Sequence, residues 1–481
     1  MTRAVTQIHD LTATEQARLI RARALSPVEV VDHYLERIDR HSASVGAFVT
    51  VTGEIARSGA AELERRLAAR AAPMAPYAGV PIGIKDLTLT AGVTTTFGSA
   101  ALADHVPSVD AAIVSRIRRA GFLLAGKTST PEFGPTCYTE PAVAPPARTP
   151  WDLSRSASGS SGGAAAAVAA GLLPIAHGSD GGGSVRTPAA NCGLVGFKPS
   201  RARISPAPAV DIIGTSTDGV LARTVEDAAG FLHVVCGPEP GDRFTVAHGG
   251  DSIGDALHAH PGGLRIARCV DPGNGAPVHP DVVAAVDRAA EALCRMGHVV
   301  EDIEHPMGGA YAAIQDDITG LFAVGVSAAV TTLVPAERRH LLRPFSHWLV
   351  ERASRTTAPE LLLSLQRLFG AAATALETLD PFDALLTPTT TQPAAAVGAF
   401  RDDENPGNEP AAMLAWTAYT PPYNLTGQPA VSLPLAATAE GIPLGVHLVG
   451  RRGGDAALLS LAAQLEEAIP WAARHAPIWN Q

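Results

Sequence analysis

Residues 156–200 read SASGSSGGAAAAVAAGLLPIAHGSDGGGSVRTPAANCGLVGFKPS, and this stretch decides the fold. Two serines, Ser160 and Ser184, sit among glycines on either side of an alanine-rich apolar run, with no charged side chain between Arg155 and Asp180. A Gly/Ser-rich segment is commonly a flexible linker. That reading fails, because the apolar sequence that follows at once has to be buried. A membrane span fails as well, since Ala164–Ala176 is too short for a bilayer and holds Gly171 and Pro174. The run reads as a buried helix over Ala164–Ala170, stopped by Gly171.

Glycine beside serine has a chemical use. Backbone N–H groups can close on a reacting carbonyl where no Cβ intervenes. Gly181, Gly182 and Gly183 before Ser184 can aim several N–H groups at one oxygen, the makings of an oxyanion hole beside a nucleophile.

The stretch resembles the amidase signature family, whose pattern has a GGSSGG-like block followed by GTDxGGSIRxPAAxCGxxGLKPT. The match here is GSDGGGSVRTPAANCGLVGFKPS. The resemblance implies an α/β fold, a mixed β-sheet covered by helices on both faces. It also implies a catalytic lysine, a serine on a cis peptide bond and a serine nucleophile, falling on Lys85, Ser160 and Ser184. Asp180 and Arg186 are then expected to brace the loop as a polar pair, with Ser161 adding a hydrogen bond. The wording of SDGGGS and GSSGGAAAAVAAG resembles hydrolases of nylon-oligomer cyclic amides and aryl amides within that family.

The lysine lies in Gly79-Val-Pro-Ile-Gly-Ile-Lys85-Asp86, whose alternation of apolar and small residues suggests a buried strand delivering Lys85 inward. A lone lysine is usually a solvated surface residue, and the resemblance of this block to the family's GVPxxxKD element reverses that reading. Asp86 reads as a structural hydrogen-bonding partner. Gly121–Thr128 matches the P-loop pattern literally, but a helix precedes it and its middle residues read as a core strand, so nucleotide binding is rejected. The same block resembles the family's GKTNxxEF element.

Gly159–Gly163 contains G-x-S-x-G around Ser161, the pattern of an α/β-hydrolase elbow, with His447 as the one tempting histidine. The preceding Asp152–Ser158 is polar where such an elbow needs an apolar strand. Cys137, in a Pro-rich loop over 134–155, reads as an inert buried thiol or as a wall of the acyl pocket.

The remaining chain is ordinary α/β sequence. Ser26-Pro27-Val28-Glu29 predicts a capping box, with Val31, Tyr34, Leu35 and Ile38 on the buried face of the helix it opens. Helices are predicted around Ile55–Ala69 and over Ser108–Ala120, with a short strand at Phe122–Ala125. Leu264–Val270, Pro280–Met296 and His298–Glu304 read as strand, helix and strand, an order favouring parallel pairing. His298 and Glu301 are read as surface residues. Residues 306–375 read as helices, expected by resemblance to form a substrate-selecting lid within a single domain spanning 1–481, and 401–409 as an acidic solvated loop.

Hydrophobic residues make up 46% and charged residues 17% of the 481, which implies a large core. A net charge of −10 without a basic cluster argues against nucleic acid or an anionic membrane as partner. Five scattered cysteines imply neither a disulfide framework nor a zinc site. MTRAVTQIHD lacks the apolar core of a signal peptide, so a cytoplasmic protein is expected.

Amide hydrolysis needs an activated nucleophile, an oxyanion site and a proton for the amine. A lysine acts as base only when neutral, and lowering its pKa from about 10.4 to about 7–8 takes roughly 3–5 kcal/mol, which burial can supply. The expectation is an amidohydrolase for a neutral or apolar amide, with esterase side activity, no metal or organic cofactor, and a homodimer as assembly. The alternatives are a glutamine-hydrolysing subunit of a tRNA amidotransferase-like complex, and an esterase of the α/β-hydrolase type using Ser161.

Overall fold

Strand-forming runs in this chain are short and most are buried, so their edges must be shared in one continuous sheet to satisfy the backbone. The computed structural model, which describes residues 7–69, 74–246 and 253–481, has eleven strands in one mixed sheet. They are β1 Phe48–Val51, β2 Pro81–Lys85, β3 Leu123–Thr128, β4 Ile175–Asp180, β5 Val195–Lys198, β6 Thr217–Ala222, β7 Arg265–Arg268, β8 Val299–Asp302, β9 Ala384–Pro388, β10 Ala430–Ala437 and β11 Pro443–Gly450. The spatial order is β1-β3-β2-β4-β6-β5-β10-β11-β9-β7-β8. β2 runs parallel to β3 and β4, and β7 parallel to β8 and β9, while β4–β6, β5–β6 and the centre from β5 to β9 are antiparallel. Residues 1–6, part of the N-terminal segment read as lacking a leader's apolar core, lie outside the described residues.

Helices cover both faces. One face carries Val225–Val235, Pro280–Arg295 and Asp455–Ala468 over a core that includes Ile82, Val220, Val286 and Leu459. The other carries Pro27–Val45 and Gly162–Ala169. All eight residues of Gly162–Ala169 are buried, and a helix apolar all round belongs inside. It begins two residues before the predicted start, and Gly171 ends it with φ +68°. Ser26 caps its helix by accepting from the N–H of Val28 and Glu29 and donates its hydroxyl to Glu64, while the Glu29 side chain does not return to Ser26 N–H to complete the capping box. Val31, Tyr34, Leu35 and Ile38 are buried as read.

Several local readings are corrected. β3 extends through Gly126-Lys127-Thr128, which pair with both β1 and β2; Lys127 Nζ is held by Thr88 O and by the hydroxyls of Thr90 (3.0 Å) and Thr95 (2.9 Å). The helix predicted from Ser108 starts at Ala112, because Asp110 turns back to accept from Ala91 N–H at 2.7 Å. His298 is buried, accepting from Leu264 N–H and contacting Gln464, while Glu301 pairs with Arg265. Glu409, read as part of a solvated loop, is buried and accepts from Tyr138 Oη and Asp402 N–H.

Residues 306–375 are largely helical, and Gln315–Leu333 is the most apolar of the long helices described there. That helix meets the length and composition of a membrane span. Here Ala323, Val326 and Val330 bury against Phe345 and Leu349 of the neighbouring helix Pro344–Ser354, and Asp316 and Asp317 pair with Arg352 and Arg367.

Candidate active site

β2 ends at Lys85 beside the parallel β4, and the segment leading into helix Gly162–Ala169 meets both, Ser160 at Lys85 and Ser161 at the Ser179 carbonyl. Lys85 is wholly buried; its Nζ lies 2.7 Å from Ser160 Oγ and 3.0 Å from the Ser179 carbonyl. Burial lowers the Lys85 amine to about 7, against the opposing charges of Asp180 and Asp218. A neutral amine offers donors for the carbonyl and a lone pair for a hydroxyl proton, which matches these two partners.

The Gly159–Ser160 peptide is cis. A Cβ at Gly159 would come within 2.8 Å of the Tyr138 backbone, so only glycine fits there. Thr187 Oγ1 donates to Gly159 O or Gly183 O, both at 3.0 Å, and joins the two serine segments. Ser161 N–H donates to Ser184 O at 3.1 Å, and Ser161 Oγ to Ser179 O at 3.3 Å. Ser184 is half-buried and lines the same cavity as Ser160, but among the described residues its hydroxyl makes no hydrogen bond to Ser160 or Lys85. Mutual hydrogen-bond reach across Lys85, Ser160 and Ser184 is thus complete only for the first pair; such contacts commonly tighten when substrate binds.

Asp180 ends β4 and organises the glycine loop. It accepts from Gly183 N–H at 2.8 Å, from Val185 N–H at 3.1 Å, and from Arg186 Nε and Nη2 at 2.9 and 2.8 Å. Burial alone would raise its carboxyl, but the Arg186 guanidinium outweighs this and holds it below the ordinary carboxylate range. Gly183 therefore has to be removed from the oxyanion set: its N–H is committed to Asp180. Gly181, Gly182 and Ser184 retain N–H groups with no partner among the described residues. Gly183 also adopts φ +128°, and a Cβ there would sit 2.2 Å from Thr420 Oγ1.

Arg186 reaches further, to Thr420 O (3.0 Å), Asn424 Oδ1 (2.6 Å) and His447 Nε2 (3.1 Å). His447 is held well below the usual imidazole range, by burial first and then by Arg186. It accepts from Arg186 and contacts Thr387 Oγ1, and it has no contact with Ser161. The elbow reading around Ser161 has neither its histidine nor its preceding strand.

Two cavities meet at Ser184. The smaller, about 60 Å³, is lined by Cys137, Phe345, Leu349 and Met413 and carries no Lys, Arg, Asp or Glu. The larger, about 350 Å³, runs past Ser160 and Gly181 to Leu321 and the exposed Val210 and Ile212. Ile318 and Phe322 of the helix Gln315–Leu333 line both. Cys137 is buried against the smaller cavity and burial pushes its thiol up, so it is both a wall and an inert thiol. Asp86 accepts from Thr96 N–H and hydroxyl, a structural role as read.

Thr187, Asn424, Thr420 and Phe322 escaped the reading of the sequence. Thr187 lay three residues from Ser184, inside the quoted motif; Phe322 lies in a stretch where nothing in the sequence marks it.

A family model described as Amidase matches residues 29–459. The chain is 35% identical over 491 residues to the 6-aminohexanoate-cyclic-dimer hydrolase of Paenarthrobacter ureafaciens, covering 97% of each. It is 33% identical over 469 residues to an acylamidase of Rhodococcus erythropolis, again covering 97% of each. Among solved structures, a 6-aminohexanoate cyclic dimer hydrolase complexed with substrate superposes with a TM-score of 0.91 at 33% identity, over 98% of this chain and 100% of that one. A bacterial aryl acylamidase of the amidase signature family superposes with a TM-score of 0.88 at 27% identity, over 98% and 100%. With the mixed sheet, the paired serine segments and this end-to-end match in hand, the chain belongs to the amidase signature family and is an amide-hydrolysing enzyme.

Proposed function

We propose that the enzyme hydrolyses neutral, N-substituted amides through an acyl-enzyme on Ser184, with Lys85 as base and Ser160 as relay. The observation that carries this reading is the 2.7 Å contact between a fully buried Lys85 amine and Ser160 Oγ, beside Ser184 in one cavity. Ser184 Oγ attacks the carbonyl carbon and gives its proton to Ser160, whose own proton passes to Lys85 Nζ. The oxyanion is held by N–H groups of Gly181, Gly182 and Ser184. The Lys85 ammonium returns a proton through Ser160 to the amide nitrogen, the C–N bond breaks, and the amine leaves. Water, deprotonated by the same relay, then cleaves the ester at Ser184.

The substrate class follows from the two cavities. An amide at Ser184 has space on both sides, so the nitrogen can carry a substituent. The absence of Lys or Arg from either lining, among the described residues, leaves a free carboxylate such as that of glutamine without a counter-charge. That disfavours the glutamine-hydrolysing role, although a glutamyl-tRNA(Gln) amidotransferase subunit from Thermotoga maritima superposes with a TM-score of 0.79 at 27% identity. The helices over 306–375 serve as the substrate-selecting cover, through Ile318 and Phe322. The test is turnover of the purified chain on a panel of anilides, cyclic amides, primary aliphatic amides and glutamine. Activity confined to glutamine would overturn the substrate reading.

A further inference from the structure

β2 and β4 are parallel neighbours, yet their pairing is registered only at Gly83 opposite Ala176. Beyond that point a buried N–H on β2 still needs an acceptor. At Lys85 the acceptor is a side chain: Lys85 N–H donates to His177 Nδ1 at 3.3 Å. An imidazole nitrogen that accepts carries no proton, so the ring hydrogen sits on Nε2. Nε2 lies 2.9 Å from Asp218 Oδ1 and gives its hydrogen there. His177 is wholly buried, while Asp218 borders a second cavity that shares Leu87, Ser179 and Ser216 with the one at Ser160. Asp218 also stands on β6 directly opposite Ser179, whose carbonyl accepts the Lys85 amine.

We propose that His177 and Asp218 are a positioning pair for Lys85: the imidazole fixes the lysine's backbone where the ladder stops, and the carboxylate sets the charge around its amine. This rests on the reading of Lys85 as base. Charged groups stand on the strands around Lys85: on β4, on β6 beyond it, and on β3. β4 brings Asp180, already paired in bidentate fashion with Arg186. β6 brings Asp218. β3 carries Lys127 opposite Ile84, on the other face of the sheet from Lys85, where it is held by Thr88, Thr90 and Thr95; the next residue on the chain, Asp86, is held by Thr96. The segment carrying Ser160 brings hydroxyls alone. Asp180 and Asp218 are the two carboxylates that oppose the effect of burial on the amine. Asp180 cannot be neutralised without releasing the glycine loop, so Asp218 is where charge can be separated from fold.

Asp218→Asn keeps an oxygen for the Nε2 hydrogen and deletes the charge. The neutral amine is the active form, so its acid limb in kcat/KM should move to lower pH by about half a unit. His177→Asn retains an acceptor near the Nδ1 position, whereas His177→Leu removes it. His177→Asn should therefore keep several-fold more kcat than His177→Leu, with KM little changed in both. A pH profile of Asp218→Asn that superimposes on wild type, alongside an inactive Lys85→Ala, would overturn the pair while leaving the base in place. Should His177→Leu fail to fold, the Asp218→Asn profile decides alone. Wild-type-like turnover by Lys85→Ala would instead overturn the base assignment itself.

Discussion

Lys85 and Ser160 lie 75 residues apart in the chain, and their side chains meet at 2.7 Å, the lysine wholly buried and the serine at the wall of the larger cavity. That contact makes the pH dependence of the reaction specific. With burial holding the Lys85 amine at about 7, kcat/KM should rise with pH through that value and stay high above it, because deprotonation creates the base. Lys198 is also lowered to about 7, by burial and then Arg186, but it holds the carbonyls of Pro199 and Gln428 and touches neither serine. Lys85→Ala should therefore remove the limb along with about 10²–10⁴-fold of amide turnover. A matched ester, whose alkoxide needs less help in leaving, should lose less. Rate–pH profiles of both substrates in both proteins check this.

Arg186 is a second point of leverage. It is the main counter-charge of the buried Asp180, so Arg186→Met should cost roughly 3–5 kcal/mol of stability. Denaturant unfolding measures it. Adding Asp180→Asn to that variant should recover part of the loss, since the uncompensated charge is gone.

Much of this centre was legible in the sequence. The glycine pattern around Ser160 and Ser184 marked the serine segments, and the alternation before Lys85 marked a buried strand. Other parts were not, for physical reasons. Whether Gly183 N–H stays free depends on where the Asp180 carboxylate turns, which local pattern does not carry. Phe322 and Asn424 reach the site from more than a hundred residues away, and their place depends on how the helices and sheet pack. His298 and Glu409 were misread as surface because a polar residue's burial depends on partners distant in the chain, here Leu264 with Gln464 and Tyr138. The GKT of β3 reads as a loop until strands on both sides claim it.

Gly159→Ala should be damaging out of proportion to one methyl group. The added Cβ meets backbone atoms at 2.8 Å on Tyr138, which cannot rotate away. A cost of about 1–3 kcal/mol is expected from overpacking, with turnover falling further because Ser160 moves with it. Comparing unfolding midpoints and kcat for this variant and wild type separates the two effects.

Phe322 lines both cavities at Ser184, so its removal should change selectivity more than rate. Phe322→Ala should raise kcat/KM for amides with bulky acyl groups relative to small ones by about tenfold. A substrate series graded in acyl size reads this directly, and an unchanged ranking would remove Phe322 from the specificity wall.

The central claim is that Ser184 carries the acyl group. Peptide mapping of the protein after treatment with a fluorophosphonate tests it most directly. The label should sit on Ser184 alone and be absent from Ser184→Ala, while Ser160→Ala should still be labelled, more slowly. Label on Ser161 or Ser160 in the wild-type protein would contradict the account.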